Sequence, residues 1–220
     1  RMYDLLNILP PYTQLLTRVC AELHPKPGDL VLDVGSGTGN LAIRLKATGC
    51  QVVAVDYCPE ALHFHRTKDE GCRVVLADLT RGLPFRSNSF DGIVSNNVLY
   101  ALPANAQMDV VRELYRILKP GGKITLANPK AGWSSMAIYR KALSMNMQAE
   151  GRLATMKKAA NVVIPTVKGL YYNWQLAKEC HYHYFESNEQ QQLLELVGFR
   201  PVSDTKVVYA DQAFLDSAVK

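Results

Sequence analysis

From residue 28 to residue 128, short apolar runs alternate with stretches whose apolar residues recur every three or four positions. Leu30 to Val34 is a branched apolar run, which predicts a strand, and Leu41, Ala42 and Leu45 then share one helical face. Gln51 to Val55 predicts a second strand, and Pro59 sits where a helix would begin. Val110, Val111, Leu114 and Leu118 form the face of a later helix, stopped by Lys119-Pro120-Gly121-Gly122. A fifth strand follows through Leu126. This alternation predicts an α/β, doubly wound architecture: a parallel sheet with helices on both faces.

The flanks read differently. Residues 3–24 predict an amphipathic helix broken near Pro10-Pro11, with Leu15, Leu16, Val19 and Leu23 at helical spacing. Residues 129–183 interrupt the alternation, with helical spacing over 133–160 and again over 168–178, separated by Pro165. Near the end, Ser187-x-x-Gln190 reads as a capping box before Leu193, Leu194 and Val197, with Gly198 as the stop. Phe199 to Tyr209 and Gln212 to Lys220 predict two strands around Ala210-Asp211. We therefore divide one domain into 1–27 (N-terminal helical cap), 28–128 (core), 129–183 (helical cap insertion) and 184–220 (C-terminal helix and hairpin).

Composition narrows the class. An apolar fraction of 48% with 20% charged residues is that of a globular protein able to bury a core. The formal charge of +5 is modest, and the densest basic pair, Lys157-Lys158, falls short of a nucleic-acid patch. Five cysteines without a C-x-x-C pair predict free thiols in a reducing, cytoplasmic setting. No apolar run approaches the ~20 residues of a membrane span. Arg1-Met2-Tyr3-Asp4 shows no secretory pattern, and the lack of Met at position 1 predicts that a few residues precede it.

The chemistry begins where the first strand ends. Gly35, Gly37 and Gly39 stand at alternate positions, followed by a helix. Such a loop lets a ligand approach the backbone, and the helix start offers unpaired N–H groups to polar ligand atoms. The dinucleotide fingerprint Gly-x-Gly-x-x-Gly fails at Asn40, which disfavours a nicotinamide dehydrogenase. No Gly-Lys-Ser/Thr occurs, which excludes a phosphate loop of that type. Asp33 lies inside the strand end, and Asp56 closes the second strand, where a doubly wound fold grips ribose hydroxyls.

The chain resembles a class I S-adenosylmethionine-dependent methyltransferase of the small-molecule type. Beyond the glycine loop, the resemblance rests on Leu76-Ala77-Asp78-Leu79, on Leu83-Pro84-Phe85 with Ser89 to Asn96, and on Leu118 to Ile124. It continues in Phe185-Glu186-Ser187 and Leu196-Val197-Gly198-Phe199, and covers residues 28–128 and 184–219. The resemblance implies a Rossmann-like, seven-stranded sheet, mostly parallel, with a C-terminal antiparallel hairpin. It implies S-adenosyl-L-methionine as cofactor, with Gly35, Ser36 and Gly37 under its methionine part and Asp33 ordering the loop. Asp56 is expected on the ribose diol, Tyr57 and Cys58 beside the adenine, Asp78 and the Leu79 N–H at the adenine edge, and Asn96 at the ammonium group. Tyr3, within Tyr3-Asp4-x-x-Asn7, resembles the opening of the quinone-type C-methyltransferase branch and is a candidate to cover the site, as is Tyr12.

Insertions at 129–183 shape the substrate pocket in that family, so Tyr100, Tyr172, Trp174 and Tyr184 are expected acceptor contacts. In an extended 181–185 segment His181 and His183 share one face, and either ring is a candidate proton acceptor. Several partners are disfavoured. Nucleic-acid amino methyltransferases carry Asn/Asp-Pro-Pro-Tyr/Phe where this chain reads Ser95-Asn96-Asn97-Val98, and Leu9-Pro10-Pro11-Tyr12 lacks the leading Asn or Asp. The Pro-Cys nucleophile of cytosine C5 enzymes and the paired-glutamate loop of arginine enzymes are absent. His63 and His65 cannot share a helical face, and no zinc spacing occurs. The sequence thus predicts O-, N- or C-methylation of a small molecule by a monomer or homodimer, without nucleic acid, membrane span or metal. A quinone-type C-methyltransferase and a non-catalytic cofactor-binding regulator are the alternatives.

Overall fold

Five strands carry the alternation into one parallel arrangement: β1 (Leu30–Val34), β2 (Gln51–Asp56), β3 (Arg73–Leu76), β4 (Phe90–Asn96) and β5 (Leu118–Pro129). β1 and β4 are buried along nearly their whole length, because helices cover both faces; that is why they read as continuous apolar runs. The computed structural model describes residues 9–151, 155 and 182–220. With β6 (Arg200–Pro201), β7 (Lys206–Val208) and β8 (Ala213–Val219) added, the sheet order is β3-β2-β1-β4-β5-β8-β6, with β7 also on β8. The reversal between β1 and β4 opens a crevice at the carboxyl ends of the strands, where doubly wound folds bind ligands.

One face is covered by α1 (Pro10–Leu23), α2 (Asn40–Lys46) and α5 (Ser135–Glu150). α1 starts at its prolines, as the break predicts, and buries Leu15, Leu16, Val19 and Leu23. The other face holds α4 (Ala104–Ile117) and α6 (Glu189–Val197). α3 (Pro59–Lys68) opens on Pro59 and lies against β2 and β3. No described helix is long and apolar enough to cross a membrane.

Four expectations change in detail. α4 ends at Ile117, and Leu118 leaves the helix to pair with Phe90; Lys119 to Gly122 then bulge before pairing resumes at Gly92 and Lys123. The predicted stop is therefore the entry of a 12-residue strand. α5 is capped at Gly151 (φ 81°) and Thr155 is again helical; the rest of the stretch expected to run to 160, and the expected helix over 168–178, lie outside the described residues. The capping box does not form: Asn188 is the N-cap, and the Gln190 side chain turns into the core. The sheet holds eight strands rather than seven, because the first hairpin strand splits into β6 (Arg200–Pro201) and β7 (Lys206–Val208), both antiparallel to β8 (Ala213–Val219). Pro201 has no N–H to give a ladder, and this edge position tolerates it.

Candidate cofactor and acceptor site

The loop after β1 is built on positive φ: 67° at Gly35, 52° at Gly37 and 82° at Gly39. Packing adds to the requirement at two of them. A Cβ on Gly35 would lie 2.2 Å from Val98 Cγ2, and one on Gly39 would lie 2.2 Å from the His65 ring. Around Gly37 there is open space, so that is where a ligand can meet the backbone. The Gly35 and Ser36 N–H groups both donate to the Val55 carbonyl, at 2.8 and 3.0 Å, which ties the loop to β2. His65 is buried with both ring nitrogens unpartnered; burial lowers its pKa and keeps the ring neutral against Gly39.

Asp33 is 1% exposed. Its carboxyl takes a hydrogen bond from the Ala42 N–H, one of the unpaired donors of the first turn of α2. Burial pushes its pKa up to about 7; the Ala42 bond opposes this, and the charge on Asp56 adds to it. Asp56 lies at the end of β2, 8% exposed. One of its oxygens accepts the Gly37 N–H at 2.7 Å and the other the Cys58 N–H at 2.9 Å. A carboxylate has about four acceptor positions, so two remain for a diol.

Other expected residues have local work of their own. The Asp78 carboxylate caps the turn at Leu79–Arg81, accepting from the Thr80 hydroxyl and N–H, which hold its pKa below the usual carboxylate value. The Leu79 side chain is buried. Tyr57 is exposed at the β2 end, and Cys58 donates to Glu60. Leu76, expected only as part of the Leu76-Ala77-Asp78-Leu79 stretch and not as a site residue, pairs in register with Asp56 and exposes its apolar side chain.

At the adjoining ends of β1 and β4, four buried oxygens have no hydrogen-bond partner: Asp33 Oδ2, Ser36 Oγ, Asn96 Oδ1 and Asn97 Oδ1. Unpaired buried acceptors are costly, and donors on a ligand remove the cost. This donor-poor, partly anionic set fits the ammonium group and sulfonium charge of S-adenosylmethionine, and the open face of Gly37 fits its methionine chain.

Beside this crevice stands an aromatic cluster. Tyr100 packs on Tyr184 (centroids 5.7 Å apart, planes at 28°) and on Tyr182 (5.1 Å), and Trp133 lies 6.3 Å from Tyr184. Tyr100 and Tyr184 were expected there; Trp133 was not, although it is an aromatic one residue after Gly132 in the loop that leaves β5. The His183 N–H donates to the Tyr100 carbonyl at 2.8 Å. The His183 Nε2 pairs with Glu189 Oε1 at 2.6 Å, at the start of α6, and the ring meets Phe185 edge-on. Tyr3, Tyr172, Trp174 and His181 lie outside the described residues. Tyr12 packs on Tyr209, on the α1 side of the same sheet edge. A cavity of about 260 Å³ lies at the opposite, amino-terminal edge of the sheet, beside Leu23 and Asp91. Asp91 there is already paired with Lys119 and the Leu30 N–H, so this cavity offers a ligand little.

Among protein families, the one described as a methyltransferase domain matches residues 32–126. Those residues, which carry β1 to β5 and the glycine loop, are thus similar to a methyltransferase domain. The chain is 36% identical over 106 residues to the demethylmenaquinone methyltransferase of Clavibacter sepedonicus, covering 46% of this chain and 42% of that one. It is 30% identical over 129 residues to the probable tRNA methyltransferase 9B of Mus musculus, covering 54% of this chain and 27% of the relative. The chain thus spans less than half the length of either. In fold it is similar to a SAM-dependent methyltransferase from Aquifex aeolicus, with TM-score 0.63, 18% identity, and 97% and 90% of the two chains covered.

Proposed function

We propose that the chain transfers the methyl group of S-adenosylmethionine to a small-molecule acceptor by in-line displacement. The observation that supports this reading is the aromatic cluster of Tyr100, Trp133, Tyr182 and Tyr184 beside the glycine loop. Its rings pack on one another instead of standing apart as a platform for successive bases, and a flat or apolar molecule suits that wall. The bound cofactor supplies a methyl already activated by its sulfonium. The chain's own residues then hold and orient: Asp56 fixes Gly37 and takes ribose hydroxyls, Asp33 and Asn96 face the ammonium group, and the rings exclude water from the line of attack. Tyr3 is proposed to cover this site, and Tyr172 and Trp174 to contact the acceptor. His183 is oriented by Glu189 toward α6, and His181 is the ring we assign to proton removal where the acceptor needs it.

A ring-carbon acceptor of the quinone type is the second reading. It is supported by the identity to a demethylmenaquinone methyltransferase and by the Tyr3-Asp4-x-x-Asn7 opening. The described cysteines are free thiols, which fits the cytoplasm. The test is transfer from methyl-labelled S-adenosylmethionine to a panel of phenols, amines, demethylated quinones and unmodified tRNA. Label in a small-molecule fraction supports the proposal. Label in tRNA alone overturns it, and binding of S-adenosylhomocysteine with no transfer to any acceptor points to a regulator.

A further inference from the structure

The loop after β4 touches both halves of the site. Val98 lies against Gly35, the first glycine of the cofactor loop, and Tyr100 is the centre of the aromatic cluster. Two buried side chains hold the backbone of this loop: Gln107 Nε2 donates to the Leu99 carbonyl at 2.9 Å, and Asn128 takes the N–H groups on either side of it. Asn128, buried at the end of β5, accepts the Val98 N–H at 3.2 Å and the Tyr100 N–H at 3.3 Å through the same Oδ1.

The orientation of Asn128 is itself determined. Its Nδ2 donates to Gln190 Oε1 at 2.6 Å. Gln190, 1% exposed, donates through Nε2 to the Leu126 carbonyl at 3.1 Å and to Asp216 Oδ2 at 2.7 Å. Asp216 Oδ1 in turn accepts the Thr205 hydroxyl at 2.6 Å. A backbone carbonyl only accepts, so the Leu126 carbonyl fixes the Gln190 amide nitrogen on its side, where Asp216 Oδ2 also takes a hydrogen bond from it. That leaves Gln190 Oε1 facing Asn128, and Asn128 Oδ1 facing the loop. A flipped Asn128 would set an NH2 group against two N–H groups. This use of Gln190 also explains why it caps no helix.

We propose that Asn128, oriented by Gln190 and Asp216, is a positioning residue that sets the Val98–Tyr100 loop and thereby couples the cofactor loop to the acceptor-side aromatic cluster. The relay touches neither ligand. It acts through the backbone of the loop after β4, which enters through Asn97 at φ 59°, a conformation an asparagine tolerates but does not impose alone. The proposal rests on the cofactor site and not on the identity of the acceptor, so its test is independent of the methyl-transfer assay.

Two arms test it. In the unaltered protein, hydrogen exchange should find the Val98 and Tyr100 amides protected and S-adenosylhomocysteine should raise that protection further. Exchange of both amides at unprotected rates would overturn the proposal without any variant. In the second arm, Asn128→Ala and Gln190→Ala are compared with Thr125→Val, which removes the equally buried Thr125–Ser217 contact of β5 and β8 outside the relay. The first two should bind S-adenosylhomocysteine about tenfold more weakly by calorimetry, as expected for two freed backbone donors. Their near-ultraviolet tyrosine signal should fall while far-ultraviolet dichroism is retained. Thr125→Val should lower the unfolding temperature and leave both readouts alone. If folded Asn128→Ala binds within twofold of the unaltered protein and keeps its near-ultraviolet spectrum, the relay is only structural and the coupling is wrong.

Discussion

Asp33 shows how one side chain can carry two opposed demands. It satisfies the Ala42 N–H at the start of α2, yet it is sealed from water with Asp56 nearby, and its pKa rises from 3.8 to about 7. The folded state therefore holds the proton more tightly than the unfolded chain. The stabilisation that this gives is complete below the unfolded value and is lost as pH climbs toward 7, with a slope of up to about 1.4 kcal/mol per pH unit. Ligand-free protein should thus lose unfolding temperature from pH 5 to pH 7 more steeply than Asp33→Asn; parallel curves would remove Asp33 as the titrating group. S-adenosylmethionine, a cation, favours the ionised carboxyl, so its binding should release a proton over the same range. Asp56 makes a simpler prediction. Asp56→Ala loses the Gly37 anchor and the diol acceptor together, and calorimetry should read a loss on the order of 1.5–3 kcal/mol in S-adenosylhomocysteine binding. Unchanged affinity would assign the residue to the loop alone.

At the scale of elements, most positions of strands and helices were legible, because burial on both sheet faces imposes apolar runs and burial on one helix face imposes a period near 3.6. The misses share a cause. Leu118 continues the helical stripe of α4, but pairing with Phe90 outweighs one more turn. Gln190 matches the capping pattern, but a buried amide with acceptors on two sides cannot be spared for a cap. The hairpin turn is the least expected element: Tyr209, Ala210 and Asp211 are all left-handed, at φ 57°, 55° and 61°. Each such non-glycine residue costs about 1–2 kcal/mol. Gln212 holds the turn, its side chain donating to the Ala210 and Asp211 carbonyls while its Oε1 accepts the Ser134 N–H at the start of α5. Ala210→Gly should raise stability by roughly 1 kcal/mol in denaturant unfolding; a loss would mean the methyl group packs in a way that offsets the strain.

For the whole molecule, the final segment completes the core and does not decorate it. β8 is buried along most of its length and pairs with β5 over seven positions, Lys123↔Val219 to Pro129↔Ala213. Removing residues 199–220 should therefore leave a chain without a cooperative unfolding transition by circular dichroism, although every cofactor residue we name would remain. A sharp transition in that truncated chain would show the parallel half to be stable alone. The glycine loop, Asp33 and Asp56 were legible because local sequence builds them: the glycines need positive φ, and the acids stand at strand ends that the pattern already marks. The sequence alone thus determined the doubly wound class and marked the glycine loop and strand-end acids of the proposed cofactor site. Only the tertiary structure set Val98 on Gly35, Trp133 beside Tyr184, His183 on Glu189 and Asn128 under the loop. Those are contacts between residues distant in sequence, or directions of side chains, and no periodicity encodes either; they follow from sheet order and register, which the chain settles only when its apolar faces close on one another.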